Sequence, residues 1–195
     1  MATILAYPQT HTKCPIPGYN GGWDGLSDRI PRIANLLARH GFRPYYRELH
    51  LSLAARPPHG PLVLEIPPYL VRETITEAGN LIIRLYEVQN GSEAERAICY
   101  ATPCTHLSDD PQAALIGYID WLWVDPSVRR RGVARAFMQR MLQILREQGF
   151  QRCWLTTGAA NWQAQPLYLA LGFQVVDCSA SFIRQENPPL DASGA

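Results

Sequence analysis

An almost uninterrupted apolar run, AALIGYIDWLWV at 113–124, limits the folds open to this chain more strongly than any other segment. Such a run is typical of a central strand that is covered on both faces. Asp125-Pro126 then predicts a turn, and an apolar helical stripe follows that ends at Gly149. With a second short apolar segment at 153–157, this order predicts two parallel strands joined by a helical crossover.

The rest of the chain predicts more strands and two further helices. Asn90-Gly91 is a turn signal between two β-like segments. The predicted helices cover 27–42 and about 162–171, and the predicted strands cover 43–53, 81–88, 95–102 and 173–183. From 81 to 183 the order is strand, strand, strand, helix, strand, helix, strand. The predicted fold class is therefore α/β with a mixed sheet.

A Pro-rich segment, AARPPHGPL at 54–62, is the best candidate for a domain boundary. We divide the chain into an N-terminal extension at 1–57, a main domain at 58–185 and a flexible tail at 186–195. The first 22 residues are rich in Pro, Gly and Tyr, which indicates irregular structure.

Composition narrows the functional classes. The 195 residues carry a formal net charge of +1, which argues against nucleic acid and an acidic membrane surface as partners. No apolar stretch reaches membrane-spanning length, and the N-terminus lacks the apolar region of a signal peptide. We therefore expect a cytoplasmic protein.

Five cysteines, an odd number without framework spacing, favour reduced thiols over disulfides. In CYATPCTH, Cys99, Cys104 and His106 lie close together and raise the question of a metal site. Zinc sites normally add a second ligand pair elsewhere, which this sequence lacks. We expect buried thiols and no metal.

A basic turn precedes the helix in VDPSVRRRGVARAFMQRML, residues 124–142. A helix N-terminus has backbone N–H groups without intrahelical partners, and small residues such as Gly132 and Ala134 let an anion approach them. Charge around this point comes from Arg129, Arg130, Arg131 and Arg135. The pattern favours an anionic ligand such as a pyrophosphate, with a solvated basic surface as the alternative.

The basic turn resembles the acyl-CoA loop of the GNAT superfamily of N-acetyltransferases, whose signature is Arg/Gln-x-x-Gly-x-Gly/Ala. Arg129, Gly132 and Ala134 occupy its three defined positions. Downstream, NWQAQPLYLALGF resembles the second CoA-contacting helix of the superfamily. The resemblance covers roughly 80–183 and implies a mostly antiparallel sheet with a splayed parallel pair and flanking helices.

The resemblance also implies how acetyl-CoA binds. Strand backbone would pair with the pantetheine arm, the N–H groups of the basic turn would hold the pyrophosphate, and Asn161 would lie near the thioester. The residues implied in binding are Leu122, Trp123, Val124, Arg129, Arg130, Arg131, Gly132, Val133, Ala134, Arg135, Asn161 and Tyr168. Arg130 departs from the family, where a small residue is common, and we expect its side chain to point outwards.

Two residues are candidates for proton transfer. Tyr168 matches the family tyrosine that protonates the departing thiolate, and its alternative is a core tyrosine. Asp120 is the acid in the apolar run, where a buried carboxylate needs a role or a partner, and some family members place an acidic base at the matching position. Its alternatives are a structural ion pair and, as in some family members, a water chain with no dedicated base. Simple alternation predicts that Asp120, Leu122 and Val124 share a face opposite Trp121 and Trp123.

The predicted function is an acetyl-CoA-dependent N-acyltransferase that moves an acetyl group to a primary amine on a small molecule or a protein. The alternative is a non-catalytic acyl-CoA-binding sensor or pseudoenzyme subunit. The acceptor amine stays unidentified. Dimers are frequent in the superfamily, so a homodimer is left open.

The front of the chain contains a short internal match. ANLLARHGFRPYYRELHLSL at 34–53 resembles QPLYLALGFQVVDCSASFIR at 165–184 when Gly41-Phe42 is aligned with Gly172-Phe173. The front is then the tail of a degenerate second GNAT half, as in tandem members, or simply a common helix-Gly-strand junction. The acceptor pocket would be built from 14–80, with Tyr19 and Trp23 as candidate walls.

Overall fold

A computed structural model describes residues 26–54, 69–77, 79–106 and 111–184. Its described residues contain a mixed eight-stranded sheet and three α-helices. The strands are β1 Leu26–Ser27, β2 Phe42–Ala54, β3 Tyr69–Ile75, β4 Leu81–Gln89, β5 Ser92–Pro103, β6 Ile116–Val124, β7 Arg152–Gly158 and β8 Gln174–Arg184. The helices are α1 Pro31–Arg39, α2 Val133–Glu147 and α3 Gln165–Ala170.

The strand order across the sheet is β1-β8-β2-β7-β6-β5-β4-β3. Strands β6 and β7 are parallel, and every other neighbouring pair in this order is antiparallel. Helix α2 makes the crossover between the parallel strands. The predicted fold class, element order from 81 to 183 and parallel pair are therefore confirmed.

Several predicted boundaries were wrong by a few residues. Helix α1 begins only at Pro31, because proline suits the first helical turn and the preceding residues form β1 and a turn. The apolar run at 113–124 is not all strand, since Pro111–Leu115 forms a 3₁₀ turn and β6 begins at Ile116. The helix predicted at 162–171 is the shorter α3.

Other predictions fall outside the described residues. These are the irregular structure of the first 22 residues, the pocket walls Tyr19 and Trp23, most of the 54–62 connector and the tail at 186–195. The domain boundaries stay a prediction.

The Asn90-Gly91 signal produces the expected hairpin between β4 and β5. Both residues have positive φ, 52° and 77°, and the strands are in register from Gln89 opposite Ser92. Positive φ at both central residues is the requirement of the tight hairpin turn that asparagine and glycine favour.

Helices α2 and α3 pack on one face of the sheet, which we call the helix face. The predicted apolar stripe of α2 supplies Phe137, Met138 and Met141, which are completely buried there against Leu51 and Leu155. The helix lies close to β6 because that strand has a glycine at 117, where a Cβ would collide with Leu145. This face holds the main core.

The opposite face of the sheet, the far face, has a smaller apolar cluster in which Tyr118 packs with Trp154. Cys104 belongs to this cluster, whereas Cys99 and Cys153 lie in the main core on the helix face. All three thiols are fully buried, as predicted.

The N-terminal part of the chain is built into the sheet. Strand β2 lies between β7 and β8 and is antiparallel to both. On the far face, His50 Nε2 lies 2.8 Å from Ser179 Oγ and links β2 to β8. The residues predicted as an extension therefore supply a central strand.

The two halves of the internal match adopt the same local structure. Each is a helix followed by a glycine with positive φ, 78° at Gly41 and 93° at Gly172, and then a long strand. The strands pair antiparallel with Glu48 opposite Ser179, and each of these residues lies seven positions after its glycine. The two copies thus meet at equivalent positions, around a local two-fold axis.

Candidate functional site

A fork opens in the middle of the sheet. The parallel strands β6 and β7 pair only from Ile116 opposite Arg152 to Ile119 opposite Leu155. Beyond that point β6 continues to Val124 and β7 to Gly158 without pairing to each other. The splayed parallel pair implied by the family resemblance is therefore present.

A β-bulge at Asp120 coincides with the start of the fork. Along β5, Ala101 is opposite Ile119 and Tyr100 is opposite Trp121, so Asp120 is the extra residue of β6. A bulge bends its strand and increases the local twist. The bend turns the end of β6 away from β7.

The bulge overturns the predicted alternation along β6. Leu122 is opposite Cys99 of the main core, whereas Trp121 is opposite Tyr100 on the far face. The extra residue shifts the two-residue period, so Leu122 and Val124 point to the helix face. Asp120, one position after Ile119, lies on the far face with Trp121. Simple alternation failed because it assumes an unbroken pleat.

Asp120 is also exposed, so the expectation of a buried carboxylate was wrong. Among the described residues no cation forms an ion pair with it, and the structural ion pair considered above is therefore not present there. Its position, one residue beyond the last paired residue of β6, places the carboxylate beside the start of the fork on the far face.

The edge of β6 inside the fork offers backbone groups for an extended ligand. The N–H of Asp125 donates to the carbonyl of Arg96 on β5 at 2.7 Å, so Asp125 faces β5. The two-residue period of antiparallel pairing then turns the backbone of Leu122 and Val124 towards the fork and that of Trp123 towards β5. Two of the three predicted backbone positions thus face the opening.

Arg129 closes the loop between β6 and α2. Its Nε donates to the carbonyl of Val124 at 2.9 Å. The loop is held further by Asp125, whose carboxylate accepts from the Ser127 hydroxyl and, at 2.8 Å, from the Ser127 backbone N–H. These two bonds lower the pKa of Asp125. The first arginine of the signature therefore fixes the turn and covers one carbonyl of the fork edge.

The N-terminus of α2 has no side-chain cap. Gly132 is the N-cap residue, and the first intrahelical bond of the helix runs from Ala136 N–H to the Gly132 carbonyl. The N–H groups from Gly132 to Arg135 therefore have no intrahelical acceptor. A Cβ at Gly132 would have no atom within 4 Å, so open space lies in front of these donors.

The predicted arginines surround this helix end. Arg129, Arg130, Arg131 and Arg135 are all exposed, and Arg130 has a φ of 61°. Val133 is buried in the main core and anchors the first turn, and Ala134 beside it is partly buried. A positively charged, uncapped and sterically open helix end is a site that suits a phosphate or pyrophosphate.

Tyr168 lies beneath the fork on the helix face. It is 8% exposed, packs in the main core and meets the Phe173 ring edge-on at a centroid distance of 6.1 Å. Burial, and after it the neighbouring Cys99 thiol, raises the pKa of Tyr168 to about 12. Since Cys99 is opposite Leu122, the phenol lies at the level of the fork. It stays protonated at neutral pH and can donate a proton.

Asn161 lies in the turn between β7 and α3. Its Nδ2 donates to Thr157 Oγ1 at 3.1 Å, and its backbone N–H donates to the Gly158 carbonyl at 2.8 Å. These bonds fix an exposed amide at the end of the β7 side of the fork. The fold thus brings Asn161, Tyr168, Leu122 and the α2 N-terminus around one opening.

The side chains of β2 and β7 at this end of the far face were not predicted from the sequence. Tyr118 and Thr156 are joined across the fork strands by a hydroxyl–hydroxyl bond of 2.9 Å. Glu48 is opposite Gly158, at the end of β7. The signal was available, because the predicted strand at 43–53 has leucines at 49, 51 and 53 and hence polar residues on its other face. The sequence did not show that β7 is the neighbour of this strand.

Comparison with known proteins finds a family match for part of the chain. Residues 100–173 match the family described as Acetyltransferase (GNAT) family. Human N-acetyltransferase 8 is 40% identical over 53 residues, which make up 27% of this chain and 23% of that protein.

Solved structures share the fold at low identity. A GCN5-related N-acetyltransferase from Sphaerobacter thermophilus is 16% identical with a TM-score of 0.59, covering 81% of this chain and 57% of that one. A tandem GNAT protein from the clavulanic acid biosynthesis pathway is 12% identical with a TM-score of 0.63, covering 81% and 59%. The chain spans less than two thirds of the length of each of these relatives.

The mixed sheet with its splayed parallel pair has the fold of the solved GNAT structures. The segment that matches the GNAT acetyltransferase family, residues 100–173, contains both strands of the fork and helices α2 and α3. Among the described residues, no helix is long and apolar enough to cross a membrane.

Proposed function

We propose that this protein is an acetyl-CoA-dependent N-acyltransferase that acetylates a primary amine. The observation that carries the proposal is the open, uncapped N-terminus of α2 at Gly132, placed at the mouth of the fork between β6 and β7. The family match at 100–173 supports acyl transfer. The geometry of the fork and of the α2 N-terminus fits a long ligand with a diphosphate at one end.

The residues divide the binding between them. The N–H groups from Gly132 to Arg135 hold the diphosphate, with Arg130, Arg131 and Arg135 adding charge. Leu122 and Val124 offer backbone groups to the pantetheine arm, while the backbone of Trp123 faces β5. Asn161 binds near the thioester. Acetyl-CoA, when bound, supplies an acyl group activated as a thioester.

Proton transfer uses the two faces of the sheet. Asp120, exposed on the far face at the start of the fork, accepts a proton from the acceptor ammonium. The neutral amine then attacks the acyl carbon, and the carbon–sulfur bond breaks. Tyr168 gives its proton to the sulfur from the helix face and regains one from the amine nitrogen, which balances the charges.

The test is a calorimetric titration with acetyl-CoA, with dephospho-CoA as the comparison ligand. We expect binding in the micromolar range that Gly132→Glu weakens by at least about tenfold, since the new carboxylate meets the phosphates. Gly149→Glu is the matched control, because Gly149 also has positive φ, 89°, and no atom within 4 Å of a Cβ, but lies after the other end of α2.

Absence of binding at millimolar acetyl-CoA would refute the proposal. Equal weakening by the two glutamate variants would attribute the effect to backbone strain and remove the phosphate site from α2. Binding without turnover of any amine would favour the acyl-CoA sensor.

A further inference from the structure

At the open end of the fork, the far face of the sheet has polar side chains. The proposed binding of acetyl-CoA does not use them. His50 is opposite Thr156, and Glu48 is opposite Gly158. Directly opposite residues of an antiparallel pair project from the same face. Leu51, the residue after His50, points into the main core together with Leu155, which is opposite it. Because side chains alternate along a strand, His50 points to the far face. Glu48 and Thr156 therefore project from the far face.

Tyr46 brings a phenol to the same place. A Cβ at Gly158 would lie 2.8 Å from Tyr46 Oη, so the phenol reaches from β2 to the end of β7. Burial, and after it the charge of Glu48, raises the pKa of Tyr46, which indicates that the two side chains are close. Glu48 Oε2 is itself shielded from solvent. A phenol and a carboxylate thus meet where Gly158 leaves space.

The carboxylates of Asp120 and Glu48 lie at different positions along the fork. Asp120 is one residue beyond the last paired residue of β6, and Gly158 is three residues beyond Leu155, the last paired residue of β7. At about 3.3 Å per residue, Glu48 lies on the order of 10 Å along the strands from the start of the fork, and Asp120 about 3 Å from it. In the proposed reaction Asp120 accepts the proton of the reacting nitrogen. Glu48, about two residues further along the fork, is left for another group of the acceptor.

We propose that Glu48, together with Tyr46, determines acceptor specificity, and that the acceptor is a primary amine with a second cationic group several bonds from the reacting nitrogen. An α,ω-diamine is the simplest member of this class. The inference rests on the proposed function, since it extends the same site. A carboxylate attracts an ammonium group, and Trp121, 59% exposed on the same face, offers a ring to a cation.

The experiment compares 1,5-diaminopentane with n-pentylamine, which differ by one terminal ammonium group. Each is titrated into the purified protein with and without saturating CoA. We expect the wild-type protein to bind the diamine at least about tenfold more tightly, and Glu48→Gln to reduce that ratio to about threefold or less. Tyr46→Phe is expected to lower the ratio in the same direction by a smaller factor. Glu77→Gln, at an exposed turn after β3, controls for the loss of one negative charge.

Equal affinities of the two amines for the wild-type protein would overturn the inference, and so would an unchanged ratio in Glu48→Gln. A thermal melt shows whether each variant is folded. If Glu48→Gln does not fold, the affinity ratio of Tyr46→Phe decides whether the inference holds. The CoA titration reports separately on the proposed function. If CoA does not bind, the proposed function fails, while the ratio measured without CoA still decides whether Glu48 binds a second cation.

Discussion

Two backbone conformations shape the turn before α2. Arg130 has a φ of 61° and Gly132 a φ of 83°. Glycine adopts positive φ at no steric cost, whereas a residue with a Cβ incurs about 1–2 kcal/mol. This strain gives a physical reason why a small residue is common at the position of Arg130 in the family. The outward side chain expected from the sequence is consistent with its exposure.

Replacing Arg130 separates strain from charge. Arg130→Gly and Arg130→Ala both remove one cation, but only glycine relieves the positive φ. We expect the glycine variant to be more stable to urea than the alanine variant by about 0.5–1 kcal/mol, after the extra entropy of glycine in the unfolded chain is subtracted. Acetyl-CoA binding should weaken about equally in both. A larger loss of binding in one variant would mean that backbone conformation, and not charge, governs affinity.

Tyr168 is the residue on which the proposed chemistry depends most. Tyr168→Phe should lower kcat by about 100-fold with little change in KM, because the phenol acts on the leaving thiolate. Since the pKa of Tyr168 is raised to about 12, its deprotonation should not reduce kcat below about pH 11. Steady-state rates across pH check both points. Tyr86→Phe on β4, whose ring lies 4.9 Å from the Arg72 guanidinium carbon, is the control. An unchanged kcat in Tyr168→Phe would remove the assignment.

At the scale of secondary structure, β2 is the element whose role changed most between sequence and structure. Its residues were placed in an extension, yet it pairs with β7 over Glu48 to Ala54 and with β8 over Phe42 to Ser52. Leu51 is completely buried between them. A strand with neighbours on both sides contributes its core residues and its hydrogen bonds to the stability of the whole sheet.

Truncation of Leu51 measures that contribution. We expect Leu51→Ala to reduce the free energy of unfolding by about 2–5 kcal/mol, in one cooperative transition, because it leaves a cavity in the main core. Leu36→Ala on α1, where the side chain is 54% exposed, should change it by no more than about 0.5 kcal/mol. Denaturant unfolding followed by Trp fluorescence makes the comparison. A small effect at Leu51 would show that β2 is a detachable extension after all.

At the scale of the whole molecule, the core buries titratable groups in their neutral forms. Cys99 is completely buried, and burial raises the pKa of its thiol to about 12, as it does for the Tyr168 phenol. In the unfolded chain these groups lose their protons near pH 9 and 10. The folded state therefore holds more protons than the unfolded state at alkaline pH.

This difference makes stability fall as pH rises. The contribution is fully present below about pH 9 and is lost between about pH 9 and 12, at up to about 1.4 kcal/mol per pH unit for each group. We expect urea unfolding to show a lower free energy at pH 10.5 than at pH 8. Cys99→Ala should be less stable at pH 8 but lose less between the two pH values. An equal loss in wild type and variant would exclude Cys99 as a source of the dependence.

The residues of the CoA signature, the crossover from strand to helix to strand and the Asn90-Gly91 hairpin are local patterns, and the sequence predicted them. A glycine before a helix, an apolar stripe and a turn dipeptide each have a physical meaning within a few residues. The basic turn was found in this way, whereas Tyr168 and Asn161 followed from the family resemblance, and the fold places all of them around one fork.

The bulge at Asp120 and the position of β2 were decided by tertiary structure. Whether a pleat continues depends on the partner strand, and β5 pairs with β6 around one extra residue. Whether β2 is an extension or a central strand depends on contacts with β7 and β8, which lie 98 or more residues away in the sequence. Such pairings are non-local, so no pattern within a strand specifies them. For the same reason Glu48 and Tyr46 became candidates for the acceptor site only once β2 was seen beside β7.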